Sequence, residues 1–128
     1  MPFVWISLGA VPGAILRYLV NQLMARWAST AFPYGTFVVN IVGCMVIGIA
    51  GTVVTGRLVD RPDVVRLVVM VGFLGSLTTF SSFAWETHNL FNDGAWMRAL
   101  VNIFLSVFAG IAGVRLGVLL TPKLGGIL

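Results

Sequence analysis

Four long apolar stretches constrain this chain more than any other feature of its sequence. They cover approximately residues 3–25, 34–56, 64–90 and 96–120. A helix rises about 1.5 Å per residue and a bilayer has a hydrocarbon core about 30 Å thick, so each stretch is long enough to cross a membrane. Only 9% of the residues are charged, whereas a soluble domain typically has about 25%. The sequence therefore predicts an all-α membrane protein with four transmembrane helices in one domain, residues 1–128.

Short polar segments separate the four stretches. The first contains Ser29, Thr30 and Pro33, the second is 60-DRP-62 and the third is 92-NDG-94. Residues of these types end helices and form turns. Because the connections are short, consecutive helices are expected to pack as neighbours. The first stretch has no basic run before it and no clean cleavage site, so we expect a first transmembrane helix and not a removable signal.

The composition argues against several classes of function. The chain has one histidine, His88, and one glutamate, Glu86, and no His/Cys/Asp/Glu group has the spacing of metal ligands. Its single cysteine, Cys44, cannot form an intrachain disulfide. The eight basic residues are scattered singly along apolar segments, which does not suit nucleic-acid binding. We therefore expect neither an enzyme nor a nucleic-acid-binding protein.

The basic residues also bear on the direction of insertion. If the N-terminus lies on side one, that side receives five of them and side two receives two. Side one has Arg57, Arg61, Arg66, Arg115 and Lys123, and side two has Arg26 and Arg98. The positive-inside rule then favours both termini in the cytoplasm. The bias is moderate, because Arg66 and Arg115 lie inside apolar segments or at their edges, and a chain with so weak a bias can insert in both directions.

The third stretch contains the least usual segment, 72-GFLGSLTTFSSFAWE-86, in which five of the seven residues from Ser76 to Ser82 carry hydroxyl groups. Glycine is costly in a helix, and hydroxyl side chains compete for backbone partners. A break in the third helix is therefore predicted here. A break frees carbonyl oxygens at membrane depth, which is tolerated where they meet protein, water or a bound ion. The carbonyls of Gly75 and Thr78 are candidates to hold a dehydrated cation such as Na⁺.

Two phenylalanines follow this segment at helical spacing. Phe80 and Phe83 are three residues apart and so share one face of a helix. A phenyl ring has a negative face and a positive edge. Two rings presented edge-on can thus coordinate a small anion without a full charge that would trap it. The same spacing also fits ordinary core packing.

Other polar residues lie deep in the apolar stretches, namely Arg17, Asn40, Asn102 and Ser106. An ionisable group at the bilayer centre costs about 2.5–3.5 kcal/mol on insertion scales, so Arg17 either faces protein or water or extends to the interface. Asn40 and Asn102 also fit a role in joining helices, worth about 1 kcal/mol each. Glycine pairs such as Gly113 and Gly117 indicate close helix packing.

Four motifs are spread over nearly the whole chain, namely 9-GAVPGAILRY-18, 35-GTFVVNIVG-43, 72-GFLGSLTTFSSFAWE-86 and 102-NIFLSVFAGIAGVRLG-117. In these motifs the chain resembles the Fluc (CrcB) family of fluoride channels. The third of these motifs, combined with the Gly-Thr-Phe-x-x-Asn of the second, is the most specific. The first departs from the family pattern, since Ala10 and Pro12 stand where a more glycine-rich run is usual.

The resemblance implies an antiparallel, dual-topology homodimer with two fluoride pathways, each lined by both subunits. The residues that match the family's pathway are Phe80, Phe83, Asn40 and Ser106, and less closely Thr36 and Ser82. Gly75 and Thr78 match the carbonyl ligands of a structural Na⁺ at the dimer interface. Arg17 matches a first-helix arginine, for which vestibule attraction and structural pairing both remain open. The implied role is passive export of cytoplasmic fluoride across the inner (plasma) membrane of a bacterium, which protects against fluoride toxicity.

Two alternatives remain at the level of sequence. A small multidrug-type transporter would have the same size and number of helices, but the first helix lacks the carboxylate that such a transporter needs. A structural subunit without transport activity of its own is the second alternative. If the protein transports a solute, we expect it to self-associate, because four short helices cannot enclose a hydrated path and also bury their own polar faces.

Overall fold

The computed structural model describes residues 1–56 and 58–124, with the backbone alone at residues 122–124. Arg57 and the side chain of Lys123, both used in the count of basic residues, therefore lie outside the described part. The four helices are α1 (Pro2–Trp27), α2 (Tyr34–Thr55), α3 (Pro62–Asn92) and α4 (Trp96–Leu124). All four are long and apolar enough to cross a membrane, and no strand occurs in the described residues. The expectation of an all-helical protein with four membrane-spanning helices is confirmed.

Helix α1 packs along the first part of α3 through glycines on both helices. A Cβ atom added at Gly9 would overlap the carbonyl oxygen of Val68, and one added at Gly72 would overlap the carbonyl oxygen of Ile6. The two backbones thus touch directly, as small residues permit in membrane proteins. Helix α1 continues through Pro12 without interruption.

Helix α2 packs along α4 in the same way. A Cβ atom added at Gly117 would overlap the carbonyl oxygen of Met45, and one at Gly48 would overlap that of Val114. The small residues of α2 and α4 therefore have a packing role along this contact. The fold consists of these two close pairs, with α1 and α2 also in contact.

The connection between α3 and α4 is a tight turn of three residues, Asp93 to Ala95. Gly94 has φ +74°, the only positive φ of a glycine in the described residues. A side chain at this φ would be strained, which explains the Asn-Asp-Gly sequence at the turn. The turn places the end of α3 directly beside the start of α4.

Helix α3 is not uniform along its length. After one α-helical turn, Pro62–Val65, the segment Arg66–Leu74 forms a π-helix, and Gly75–Leu77 returns to α geometry. Thr78 and Thr79 then have extended backbone angles (φ −82°, ψ 154° and φ −152°, ψ 118°). A second helical part, Phe80–Asn92, follows. Nothing in the sequence analysis anticipated the π-helix.

The core lies behind this interruption. Val39, Leu74 and Leu77 are almost fully buried and are packed against partly buried apolar residues of α1, α2 and α3. Many large apolar side chains elsewhere point outward, for example Val11 and Leu19 of α1. Lipid tails can cover such side chains without cost, so the outer surface of a membrane protein remains apolar. The buried core thus holds α2 firmly against the point at which α3 changes its backbone.

Candidate functional site

The side-chain amide of Asn40 spans the interruption in α3. The backbone N–H of Thr79 donates to Oδ1 of Asn40 at 2.8 Å, and Nδ2 of Asn40 donates to the carbonyl of Thr79 at 3.1 Å. One amide thereby satisfies both backbone groups of an extended residue, which would be costly to leave unpaired in a membrane. Asn40 is on α2, whose position is fixed by its contact with α4.

Thr79 is itself the cap of the second part of α3. Its Oγ1 accepts a hydrogen bond from the backbone N–H of Ser82 at 3.2 Å. The same hydroxyl lies 3.2 Å from the hydroxyl groups of Ser81 and Ser82. A threonine in extended geometry before a helix is a favourable N-cap. The hydroxyl groups around Thr79 therefore start a new helix inside the apolar stretch.

These two arrangements affect the carbonyl groups of Gly75 and Thr78. In a continuous α-helix, the carbonyl of residue i accepts from the N–H of residue i+4. For Gly75 that donor is Thr79, whose N–H is directed to Asn40. For Thr78 it is Ser82, whose N–H is directed to the hydroxyl of Thr79. Both carbonyls are thus deprived of their usual helical donors.

A cavity of about 360 Å³ opens beside the interruption. It lies between α2, α3 and α4, and apolar atoms form most of its wall. The residues with polar or aromatic groups along it are Asn40, Thr78, Thr79, Phe80, Phe83 and Ser106. The rings of Phe80 and Phe83 are 5.6 Å apart between centroids and tilted by 43°. Phe80 is 79% exposed, so in a single chain the cavity is open on the side where this ring lies.

A chain of hydrogen bonds runs behind the cavity from α3 to α4. The hydroxyl of Thr87 donates to the carbonyl of Phe83 at 2.7 Å. Nδ2 of Asn102 donates to the hydroxyl of Thr87 at 2.9 Å, and the hydroxyl of Ser106 donates to Oδ1 of Asn102 at 3.3 Å. Asn102 is only 1% exposed. The polar group of Ser106 that faces the cavity is thus tied to a fully buried amide.

A second cavity of about 510 Å³ lies between the loop that joins α1 to α2 and the last turns of α3. Here the hydroxyl of Thr36 donates to Oε1 of Glu86 at 2.7 Å. Oε2 of Glu86 is buried and has no hydrogen-bond partner among the described residues. Asn21, Asn89 and Asp93 also line this cavity. The only glutamate of the chain is therefore held at a polar recess.

The structure brings most of the sequence-predicted site residues together. Asn40, Phe80, Phe83, Ser106, Gly75 and Thr78 all line the 360 Å³ cavity. Thr36 lies instead in the 510 Å³ cavity with Glu86. Ser82 is engaged with Thr79. Arg17 is half-buried in α1 and, within the described part of the chain, lines neither cavity.

Three residues with clear structural roles were missed or given a lesser role. Thr79 was not proposed as a site residue, although a threonine directly before a helical segment is a capping signal. Thr87 carries no signal in the sequence, because its partner Asn102 is 15 positions away. Asn102 was assigned only to the joining of helices. The contact with Ser106, one helical turn away, was available from the i, i+4 spacing.

Comparison with known proteins gives one consistent result. Residues 4–118 match the family model described as "CrcB-like protein, Camphor Resistance (CrcB)". A protein of Solibacter usitatus named "Fluoride-specific ion channel FluC" is 43% identical over 123 residues, which cover 96% of this chain and 100% of the relative. Proteins with the same name from Chloroflexus aurantiacus and Aeromonas salmonicida are each 41% identical. The match covers 94% of this chain in both cases, with 95% and 96% of those relatives.

Proposed function

The chain belongs to the CrcB family, and from this premise we propose that it is a fluoride-selective channel. Relatives more than 40% identical over nearly the whole chain carry that name. The protein is a multi-pass membrane protein and not an enzyme. Its proposed activity is passive, so it requires neither a nucleotide nor a coupling reaction.

The observation that carries the proposal is the convergence of Asn40, Phe80, Phe83 and Ser106 on one cavity. Fluoride holds its water strongly, and a selective pathway has to replace much of that hydration. One N–H of the Asn40 amide is used by Thr79, which leaves its second N–H for an anion. The phenyl edges add partial positive charge, and the Ser106 hydroxyl adds more when its proton is turned toward the anion. Partial charges bind a small anion well enough for entry and weakly enough for exit.

The proposed pathway is completed by a second copy of the chain. Phe80 is 79% exposed beside the cavity, so the cavity in one chain is a half-open recess. An antiparallel, dual-topology homodimer would close it and, by symmetry, would form two pathways. Two copies inserted in opposite directions would also have the inverted symmetry that larger transporters achieve within one chain. Thr36 and Ser82 are assigned to the approaches of each pathway.

We assign a structural Na⁺ to the dimer interface on similar grounds. Gly75 and Thr78 lie at the interruption, and both carbonyls have lost their helical donors. Carbonyl oxygens are ligands for small hard cations and are found in this role at unwound helices of transporters. Gly75 is exposed in the single chain, so its carbonyl is accessible to a partner. The residues present therefore fit such an ion.

The proposed physiological role is export of fluoride across the inner (plasma) membrane. Fluoride enters from acidic surroundings as HF and dissociates in the more alkaline cytoplasm. A negative interior then drives the anion outward by about 2.3 kcal/mol per 100 mV. A channel alone would thus protect the cell from fluoride. Arg17 is assigned either to anion attraction or to structural pairing.

The experiment that tests this function is fluoride efflux from liposomes that contain the purified protein, with chloride-loaded vesicles in parallel. We expect rapid electrogenic loss of fluoride without loss of chloride. Phe80→Ile should abolish the flux, because it removes the positive ring edge but retains an apolar side chain. Phe3→Ile is the matched control, since Phe3 is 80% exposed on α1 and Phe80 is 79% exposed.

Three results would contradict the proposal. The first is a folded dimer that conducts no fluoride, which would favour a structural subunit. The second is equal flux of chloride. The third is a Phe80→Ile variant that conducts as well as Phe3→Ile, which would remove the ring edges from the mechanism. Resistance to cationic drugs in expressing cells would instead support a small multidrug-type transporter.

A further inference from the structure

The hydroxyl of Ser106 faces the proposed pathway, but the direction of its hydrogen bond presents a problem for anion binding. An anion needs the hydroxyl proton, and Ser106 has only one. In the structure that proton is directed to Oδ1 of Asn102. Without a change at this bond, Ser106 presents only lone pairs to a fluoride ion.

The direction of this bond is fixed by the rest of the hydrogen-bond chain. It ends at the backbone carbonyl of Phe83, which can only accept, so the hydroxyl of Thr87 must donate to it. Thr87 has then used its proton and can only accept from Asn102. The amide of Asn102 therefore turns its Nδ2 toward Thr87 on α3 and its Oδ1 toward Ser106 on α4. Because Oδ1 can only accept, the hydroxyl of Ser106 must donate to it.

The burial of Asn102 makes the loss of its bond from Ser106 costly. Asn102 is 1% exposed, so water cannot replace the Ser106 proton at Oδ1. When Ser106 turns to an anion, a buried acceptor loses its only partner in the chain of bonds just described. That loss opposes binding, whereas a charge-assisted bond to the anion favours it. The bond to Asn102 is long, at 3.3 Å, and a long hydrogen bond is a weak competitor that an anion can displace.

We propose that Asn102 is a positioning residue that competes with the permeating anion for the Ser106 proton and thereby weakens the anion site. The chain of bonds from Phe83 to Ser106 sets the strength of this competition. A site weakened in this way releases its ion quickly, which a conducting pathway requires. This inference rests on the proposed function, because it assumes that fluoride passes Ser106.

The test uses Asn102→Leu, which replaces the competing acceptor by an apolar side chain of similar size. Thr87 still donates to Phe83 in this variant, so no donor is orphaned there. Fluoride currents in planar bilayers, recorded over a range of fluoride concentrations, give a half-saturating concentration and a maximal current. We expect the half-saturating concentration to fall about tenfold, which corresponds to relief of one orphaned acceptor. The maximal current should fall as well, because release is slower.

The same measurement on Ser106→Ala and on the double variant shows whether Asn102 acts through Ser106. We expect Asn102→Leu to leave the half-saturating concentration unchanged when Ser106 is already alanine. An equal shift in both backgrounds would assign Asn102 a general structural role and would overturn the proposal. An unchanged half-saturating concentration in Asn102→Leu alone would also overturn it.

Thr87→Val provides a second route if Asn102→Leu does not fold. It removes the group that fixes the Asn102 amide, so the amide can turn its Nδ2 toward Ser106 and free the serine proton. A shift in the same direction, again dependent on Ser106, is expected. Thr121→Val is the matched control, because Thr121 is also buried and its hydroxyl donates to the carbonyl of Gly117 four residues earlier, as that of Thr87 does to the carbonyl of Phe83.

The outcomes separate this inference from the proposed function. A wild-type dimer without fluoride current overturns both. A wild-type current with no shift in Thr87→Val, or with the same shift in Thr121→Val, overturns only the role of Asn102. A shift confined to Asn102→Leu and Thr87→Val, and lost in Ser106→Ala, supports it.

Discussion

At the residue scale, the side chain of Asn40 combines a structural contact with a role in the proposed pathway. Its Oδ1 and one N–H pair with the backbone of Thr79, and its remaining N–H is directed toward the cavity in the proposed pathway. The first function positions the second, because the paired amide cannot rotate. The sequence allowed two interpretations of Asn40, a group of the pathway or a contact that joins helices. Its side chain is suited to both roles.

Asn40→Ala is expected to destabilise the protein as well as to stop fluoride flux. It leaves the N–H and the carbonyl of Thr79 without their partner, at about 1–3 kcal/mol for each buried group. Unfolding in mixed detergent and denaturant, followed by circular dichroism, measures the change. Asn92→Ala is the control, because Asn92 is exposed and, among the described residues, its side chain bonds only to His88 one turn away. Equal stability of the two variants would refute the role of Asn40 at the interruption.

At the scale of elements, close packing of α1 on α3 holds the region that precedes the interruption. The backbones touch at Gly9 and Gly72, over the π-helical part Arg66–Leu74. A π-helix within a membrane span is rare and often occurs near functional sites. Here it leads directly into Gly75 and the extended residues Thr78 and Thr79.

Gly9→Ala is expected to lower the free energy of unfolding by about 1–3 kcal/mol, the usual cost of overpacking. The added Cβ would overlap the backbone of Val68, which cannot move as a side chain can. Gly51→Ala is the matched control. Its Cβ would lie 4.0 Å from the methyl of Met70, an ordinary contact, and alanine is the better helix former. Thermal unfolding of both variants in the same detergent gives the comparison, and similar losses for both would count against close α1–α3 packing.

At the scale of the whole molecule, the single chain does not enclose the proposed pathway. The cavity is open at Phe80, and Gly75 and Thr78, whose carbonyls have lost their helical donors, line the same cavity. Both features are explained if a second copy covers this face. The moderate excess of basic residues on one side bears on the same question, because it favours a single orientation that an antiparallel dimer does not allow.

Labelling of Lys123 tests the direction of insertion. Lys123 is the only lysine, and with four spans the N-terminal amine lies on the same side as it, so both amines report one orientation. An impermeant amine reagent applied to intact cells should label about half of the protein if insertion is equal in both directions. Labelling of all copies from one side alone would exclude dual topology.

Sodium provides a second test of the assembly. If carbonyls of Gly75 and Thr78 from two chains hold Na⁺, the dimer binds the ion and the separated chains do not. Linkage then requires the melting temperature to rise with Na⁺ concentration. Purification in N-methylglucamine chloride, followed by melting with and without added NaCl at constant ionic strength, measures it. Identical curves, with no sodium found by elemental analysis, would contradict the site.

The sequence by itself determined the number of spans and the class of protein, since hydropathy over about 20 residues is a local property. It also located the unusual hydroxyl-rich segment. Only the tertiary structure decided which groups satisfy that segment: Asn40 reaches Thr79 across 39 positions and Asn102 reaches Thr87 across 15. It likewise separated Thr36 from the cavity that holds Phe80. Such pairings depend on how whole helices pack, because a hydrogen bond needs correct geometry within a few tenths of an ångström and local sequence carries no record of a distant partner.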